Sequence, residues 1–397
     1  PKAPSAPHFD DRPASFPVDL FEGSEQQASS TQPTARVPRP ATPESNRQSE
    51  VHLPRRRRVV LPVVLFFLTC LSTFWVGCSP ARVRLTLEWI GVWLAGGPPG
   101  LNTRADHVDL EARSQIIDFW QNGLIYMVCV IAILFAHEMG HFIMTLRYRV
   151  AASLPYFIPM PLFPIGTMGA VISMDGQSAD RKQIFDIGIA GPIAGLVLAI
   201  PITWYGVSQL DLTYYDASIP RLERVNDEQR LADEGRLQNG SSSAHPGFGY
   251  HMPWMISKLI GVVQPKGYKE GTTVDELPTS LMNPFLMAGW FGLLITGLNM
   301  MPISQLDGGH VIYGLFGKRA HVIARMALFM AIFFVVYNFS RVYMWTAMLI
   351  LVTLIGTDHP PTANDDTPLG LPRIILGWAT LAIPFACFPF FGLWELT

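Results

Sequence analysis

The chain has 397 residues, of which 49% are hydrophobic and only 15% charged, with a formal net charge of −2. The near-neutral balance, without a basic patch on the scale of a fold, argues against a nucleic-acid partner. Charges gather in residues 1–58 and in one central insertion, leaving long uncharged runs between, which excludes an ordinary soluble enzyme and fits a polytopic membrane protein.

Residues 1–58 are rich in Pro, Ser and Gln and lack apolar clusters. They bury too little surface to repay ordering entropy and read as a disordered cytosolic tail. A membrane span needs about 20 apolar residues at 1.5 Å rise each. Seven runs are expected to serve: 59–78, 116–144, 184–208, 283–303, 322–338, 342–356 and 372–393. The fifth and sixth are short and joined by Ser340 and Arg341, as in a tight hairpin. The expected divisions are the tail (1–58), a first span and external loop (59–114), a membrane core (115–207), an extramembrane insertion with an amphipathic helix (208–282), a further membrane helix (283–320) and C-terminal membrane helices (321–397). Arg55 to Arg58, Arg147 with Arg149, Arg181 with Lys182, and Lys318 with Arg319 fall on one side if the spans alternate. By the positive-inside rule that side is the cytoplasm, with the N-terminus inside; Arg341 and the charged insertion fall opposite.

The most specific local signal is HEMGH, His137 to His141, closing the apolar stretch that starts at Leu124. Residues four apart share a helix face, so His137 and His141 can grip one Zn²⁺ while Glu138 stands beside the open coordination position. Val128 to Ala136 carry no charge, and ionisable groups at membrane depth are expensive enough to mark function. Two histidines leave a hydrolytic zinc site one protein ligand short, usually a carboxylate. Asp307, in NMMPISQLDGG (Asn299 to Gly309), is the expected third ligand. Its alternative is an ordinary Asp-Gly turn. His310 is a weaker rival, because a third histidine makes the carboxylate redundant.

These residues resemble the site-2 protease family of intramembrane zinc metalloproteases, whose signatures are HExxH and NxxPxxxxDG. Both are complete here, the second as Asn299, Pro302, Asp307 and Gly308. Pro164 to Ala194, with its GxxG loop, basic pair and AGP, and Asn283 to Lys318 are similar to the cyanobacterial and plastid branch that lacks a PDZ domain. The resemblance covers about 115–366 and implies an all-α polytopic fold of six to seven transmembrane helices, with a re-entrant β-hairpin between the second and third spans. It also implies one Zn²⁺ per chain, Glu138 as general base and then acid toward the leaving amine, and a transmembrane protein as substrate within the bilayer. Asn299 is then assigned to the substrate backbone, with a helix cap or interhelix hydrogen bond as the equal alternative. Gly166 and Gly169, in GTMGA, are assigned to an extended edge that pairs with an unwound substrate.

The remaining features are assigned simpler roles. Pro155, Pro159, Pro161 and Pro164 make the connection after HEMGH irregular, and Gly191-Pro192 with Gly195 let the third span kink and pack closely. The insertion carries a charged, weakly amphipathic helix over 221–238 and an interfacial stretch over Tyr250 to Val263. Cys70, Cys78, Cys129 and Cys387 have no CxxC spacing and read as packing residues. Asp118 and Asp186 read as caps or solvated interface groups. A catalytically silent zinc-binding scaffold or chaperone is the alternative class, and a transporter is disfavoured by the lack of internal repeats. The expected location is a bacterial cytoplasmic membrane.

Overall fold

The structure is a computed structural model that describes residues 59–78, 104–213, 215, 248–303, 305–338, 345–355, 362–389 and 393–395, all within one compact unit, Arg56–Thr397. The expected tail (1–58), the loop over 79–103, the charged helix over 221–238 and the connection at Ser340 and Arg341 lie outside the described residues.

Helix α1, Val60–Gly77, turns the soluble pattern inside out. Phe67 and Leu71 are exposed while Thr69, Ser72 and Thr73 are buried. Lipid accepts the apolar face; the inward hydroxyls are satisfied locally, Thr69 donating to the Leu65 carbonyl and Thr73 to that of Thr69, both at 2.8 Å. Helix α2, Arg104–Tyr148, breaks helical geometry at Phe119, and the stretch Ile117–Tyr148, which includes the break near its start, is long and apolar enough to cross a membrane. Helix α3, Arg181–Ser208, begins with a capping box: the Asp180 side chain accepts from the Gln183 N–H and Gln183 reaches back to Asp180. It continues through Pro192 and Pro201. Close approach of α2 and α3 depends on Gly140, where a Cβ would lie 2.4 Å from the Ala190 carbonyl oxygen.

Between α2 and α3 the chain forms an antiparallel hairpin, β1 (Tyr156–Met160) and β2 (Gly166–Val171), with a register slip between Phe157 and Pro159. Pro159 is tolerated because a two-stranded hairpin has only edge strands, and the Ile158 carbonyl at the slip accepts a hydrogen bond from the buried Thr167 hydroxyl at 2.9 Å. Two hydroxyls fasten the turn of the hairpin to the helices: Ser72 of α1 donates to the Gly166 carbonyl at 2.6 Å, and Tyr126 of α2 to that of Ile165 at 2.9 Å.

Beyond this expected hairpin the fold holds more strand than all-α predicts. β3 (Phe248–His251) is the central strand of a second sheet, flanked by β4 (Glu276–Pro278) and β5 (Leu393–Glu395). The interfacial stretch divides accordingly: its start is β3, and helix α4, Trp254–Val263, buries Ile256 and Ile260 while exposing Trp254 and Val262. Helix α5, Pro284–Asn299, is capped by Asn283, whose side chain accepts from the Leu286 N–H and donates to the Gly206 carbonyl at 2.7 Å. It is 16 residues long and sheathed by protein, with Trp290 and Leu293 fully buried.

Helix α6, Asp307–Phe316, runs through a 3-10 turn at Gly317–Arg319 into α7, Ala320–Tyr337. Then come α8 (Trp345–Ile355), α9 (Leu371–Thr380) and α10 (Ile383–Cys387). The described residues are therefore mostly helical, and among them four helical stretches are long and apolar enough to cross a membrane: Val60–Gly77, Ile117–Tyr148, Arg181–Ser208 and Asp307–Tyr337. The expected spans 283–303 and 372–393 correspond to shorter apolar helices, the latter split in two with Pro384 opening the second piece and residues 393–395 paired as a strand. Exposed Phe329, Phe333 and Val336 on α7 give it an apolar outer surface suited to lipid rather than water. The chain is an integral membrane protein.

Candidate active site

His137 and His141 lie on one face of α2, about 16 and 10 Å from its end at Tyr148 by helical rise. Glu138 follows His137 directly and both are buried. The third group comes from elsewhere: Asp307 opens α6, shortly after α5 ends at Asn299. Gly308 makes that approach possible, since a Cβ there would lie 2.2 Å from the Met300 carbonyl oxygen. Asp307 Oδ2 lies 3.1 Å from His137 Nε2, and Oδ1 lies 3.3 Å from His141 Nε2.

One ligand atom from each of His137, His141 and Asp307 lies within 4.8 Å of the others. Donors around a tetrahedral zinc with bonds of about 2.0–2.1 Å stand about 3.4 Å apart, and the two-nitrogen, one-oxygen set is that of hydrolytic zinc sites, so the residues fit the ion. His141 is also oriented for it. Its Nδ1 donates to the Ile187 carbonyl at 2.8 Å, which leaves Nε2, on the Asp307 side, as the atom that would ligate the ion.

The structure brings Asn299 to the same place: its Nδ2 lies 3.2 Å from His137 Nε2, at the C-terminal end of α5. His310 is not in the metal-ligand cluster among the described residues; its Cβ packs over Gly188 of α3. Gly166 and Gly169 both have positive φ, +82° and +100°, in β2. Gly166 is closed against α1, where a Cβ would meet Thr73 Cα at 2.8 Å, whereas nothing lies within 4 Å of a Cβ at Gly169. Met168 and Val171 of the same strand are exposed. None of the four cysteines forms a disulfide.

Two features escape a reading of the motifs. The glycines of α3 are clearances for the imidazoles: a Cβ at Gly191 would lie 2.0 Å from His141 Nε2, and one at Gly195 would lie 3.2 Å from His137 Nδ1. The spacing AGPIAG, with glycines four apart, was the available signal, and close helix packing accounted for it equally well. The second is Asp186, which is neither a cap nor solvated. It is buried and takes a bidentate pair from Arg373, Nε to Oδ1 at 2.7 Å and Nη2 to Oδ2 at 2.9 Å, together with the Tyr148 hydroxyl. No local pattern announces a partner almost two hundred residues away.

A His-His-Asp cluster, with His137 buried and His141 and Asp307 partly so, and an adjoining buried glutamate, set among apolar helices, defines a helical membrane protein with a candidate metal centre of hydrolase type. The sequence model described as Peptidase family M50 matches residues 125–339, more than half of the chain and all of this cluster, and the chain belongs to that family. Among its relatives, "Probable zinc metalloprotease EGY1, chloroplastic" of Oryza sativa subsp. japonica is 30% identical over 66% of this chain and 38% of its own length. The protein of the same name from Arabidopsis thaliana is 26% identical over 83% of this chain and 53% of its own length. "Probable zinc metalloprotease EGY2, chloroplastic" of Arabidopsis thaliana is 23% identical over 57% of this chain and 36% of its own length. The chain thus spans about half or less of the length of these curated relatives. No solved structure matches it.

Proposed function

We propose that the protein is a zinc-dependent intramembrane endopeptidase that cuts peptide bonds in or near transmembrane segments of membrane proteins, in regulated proteolysis. The observation that carries this reading is the convergence of His137, His141 and Asp307 beside the buried Glu138, between apolar helices. In this reading those three residues hold one Zn²⁺ per chain, which when bound supplies Lewis-acid activation of water and of the scissile carbonyl. Glu138 takes the proton from the attacking water and returns it to the leaving amine. The Ile187 carbonyl holds His141 in the ligating tautomer, and the surrounding apolar helices limit water to what the reaction needs.

A transmembrane substrate is helical, with its amide hydrogen bonds satisfied internally, so it must unwind before its backbone is open to attack. We assign that role to the β1–β2 hairpin as a re-entrant element. The outer edge of β2 has no strand partner among the described residues. Gly169, with exposed Met168 and Val171, belongs to the pairing edge; Gly166 seats the hairpin on α1. We assign Asn299 to the substrate backbone: its amide stands beside His137 Nε2 and, once that nitrogen is engaged by zinc, is left to donate to a substrate carbonyl.

For topology, the tail (1–58) and the Lys318–Arg319 turn share the basic side and the insertion (208–282) faces the other, with membrane segments at 59–114, 115–207, 283–320 and 321–397. Following the chloroplastic relatives, we take a plastid membrane as the compartment in place of a bacterial one, the basic side being the stroma. The test is metal content and cleavage in Glu138→Gln and Asp307→Ala. Glu138→Gln keeps its zinc and loses about 10²-fold to 10⁴-fold in turnover. Asp307→Ala loses most of its zinc or its activity. Wild-type cleavage by Glu138→Gln refutes the assignment.

A further inference from the structure

The groups that surround the metal cluster are held by a part of the chain that contributes no ligand. Ile187, whose carbonyl fixes His141, directly follows Asp186 on α3. Asp186 is gripped from two sides: by Tyr148, seven residues beyond His141 on α2, and by the bidentate Arg373 at the start of α9. Bidentate guanidinium pairing fixes both distance and plane, which a single hydrogen bond does not. The register of α2 against α3 is therefore pinned at His141–Ile187 and again at Tyr148–Asp186, and Arg373 locks the second pin.

The segment just before Arg373 makes a parallel attachment to α6, the helix that carries Asp307. Arg181 donates to the Gly314 and Leu315 carbonyls at the end of α6, at 2.8 and 3.1 Å, while its backbone N–H donates to the Asn364 carbonyl at 3.1 Å. The Tyr313 hydroxyl of α6 donates to Asp365 Oδ1 at 2.8 Å. Leu369 completes the bracket in an apolar cluster with Phe185, Ile189 and Val311. Residues 362–373 thus touch every helix that carries or orients a metal-site group except α5.

We propose that Arg373 is a positioning residue for the metal centre: through Asp186 and Tyr148 it sets the α2–α3 register that aims His141, and segment 362–373 clamps α3 to α6 so that Asp307 meets both histidines. The inference rests on the metal-site reading above. A purely structural pair contributes stability without selectivity for the site. A positioning pair also sets the affinity and ligand field of the metal.

The experiment uses the full chain in detergent micelles with Zn²⁺, measuring affinity by chelator competition, and with Co²⁺, whose visible spectrum reports ligand geometry independently of activity. Arg373→Met leaves a buried carboxylate unpaired and destabilises the fold. The double variant Asp186→Asn with Arg373→Met removes that charge and regains melting temperature. It is expected to remain about tenfold weaker for zinc, the usual loss when support of a ligand is removed, with a shifted Co²⁺ spectrum. Arg373→Lys, which keeps charge without the fork, falls between. Ile256→Ala in α4, buried away from the cluster, is expected to lose melting temperature with wild-type zinc affinity. Recovery of zinc affinity together with melting temperature in the double variant overturns the proposal, as does zinc affinity that follows melting temperature in all variants, Ile256→Ala included. Failure of the wild-type protein to bind zinc at all overturns the metal-site reading instead.

Discussion

Replacing Gly191 with Ala sets the packing of the site against helix propensity. The new Cβ would lie 2.0 Å from His141 Nε2, 2.4 Å from Cδ2 and 2.5 Å from Cε1. Unbonded carbon contacts settle near 3.5–4.0 Å, so the imidazole or the helix must retreat by about 1–1.5 Å. That movement lengthens either the 2.8 Å contact of Nδ1 with the Ile187 carbonyl or the 3.3 Å approach of Nε2 to Asp307. Propensity acts in the opposite direction, since Ala exceeds Gly by about 1 kcal/mol in a helix interior. Overpacking costs about 1–3 kcal/mol, so the net loss of stability is expected to be at most about 2 kcal/mol and the variant folds. Zinc affinity, in contrast, should fall by about 10-fold to 100-fold, and turnover at saturating zinc by about 10²-fold for a 1 Å misplacement. Gly195→Ala is the graded control: its Cβ would stand 3.2 Å from His137 Nδ1, a shortfall of tenths of an ångström, with an expected loss under about tenfold. Chelator competition and thermal melts on both variants check this. Wild-type zinc affinity in Gly191→Ala, or a larger loss in Gly195→Ala, refutes the reasoning.

Chelation of the wild-type protein should abolish cleavage, with Zn²⁺ restoring it, measured on one model substrate before and after dialysis. Gly169→Pro should slow cleavage without releasing zinc, since it alters the free edge of β2 but touches no ligand; an unchanged rate removes the strand from substrate binding. Hydrogen bonds from Lys266 and then Thr213 hold the exposed Asp211 carboxyl down to about 2, against 3.8 unfolded. A depressed carboxylate contributes fully above the unfolded value and is lost as pH falls through the folded one, so the tether should release between about pH 4 and 2 and be worth less than about 1 kcal/mol. Faster hydrogen exchange at the Leu212 amide, which donates to the Lys266 carbonyl at 2.7 Å, reports that release, and Asp211→Asn should exchange fast throughout. Cysteines placed at Ser30, Lys318 and Ser242 should divide between the two sides of the membrane, with only Ser242→Cys labelled from the side opposite the N-terminus.

The residues that converge at the candidate metal site were the most legible because their signals are local: His137 and His141 need only the helical repeat, and Asp307 announces itself through the turn residues around it. What joins them was not. Arg373 finds Asp186 from 187 positions away, and Gly191 is read equally well as packing until the imidazole is seen against it. Hydropathy also counts spans without distinguishing what surrounds them. Helix α5 is apolar all round and covered by protein, so neither its composition nor its 16 residues separates a buried helix from a membrane span. Strands β3 and β5 are a few residues each and pair across 142 intervening residues or more, too short for alternation to register.

The most direct test of the central claim is the position of the cut. The zinc-loaded protein is reconstituted in liposomes with a single-span substrate, and mass spectrometry assigns the product termini. A scissile bond inside the apolar segment or at its border, present with the wild-type protein and absent with Glu138→Gln, is the predicted result. Cleavage confined to the water-exposed flanks, or the same products from Glu138→Gln, contradicts it.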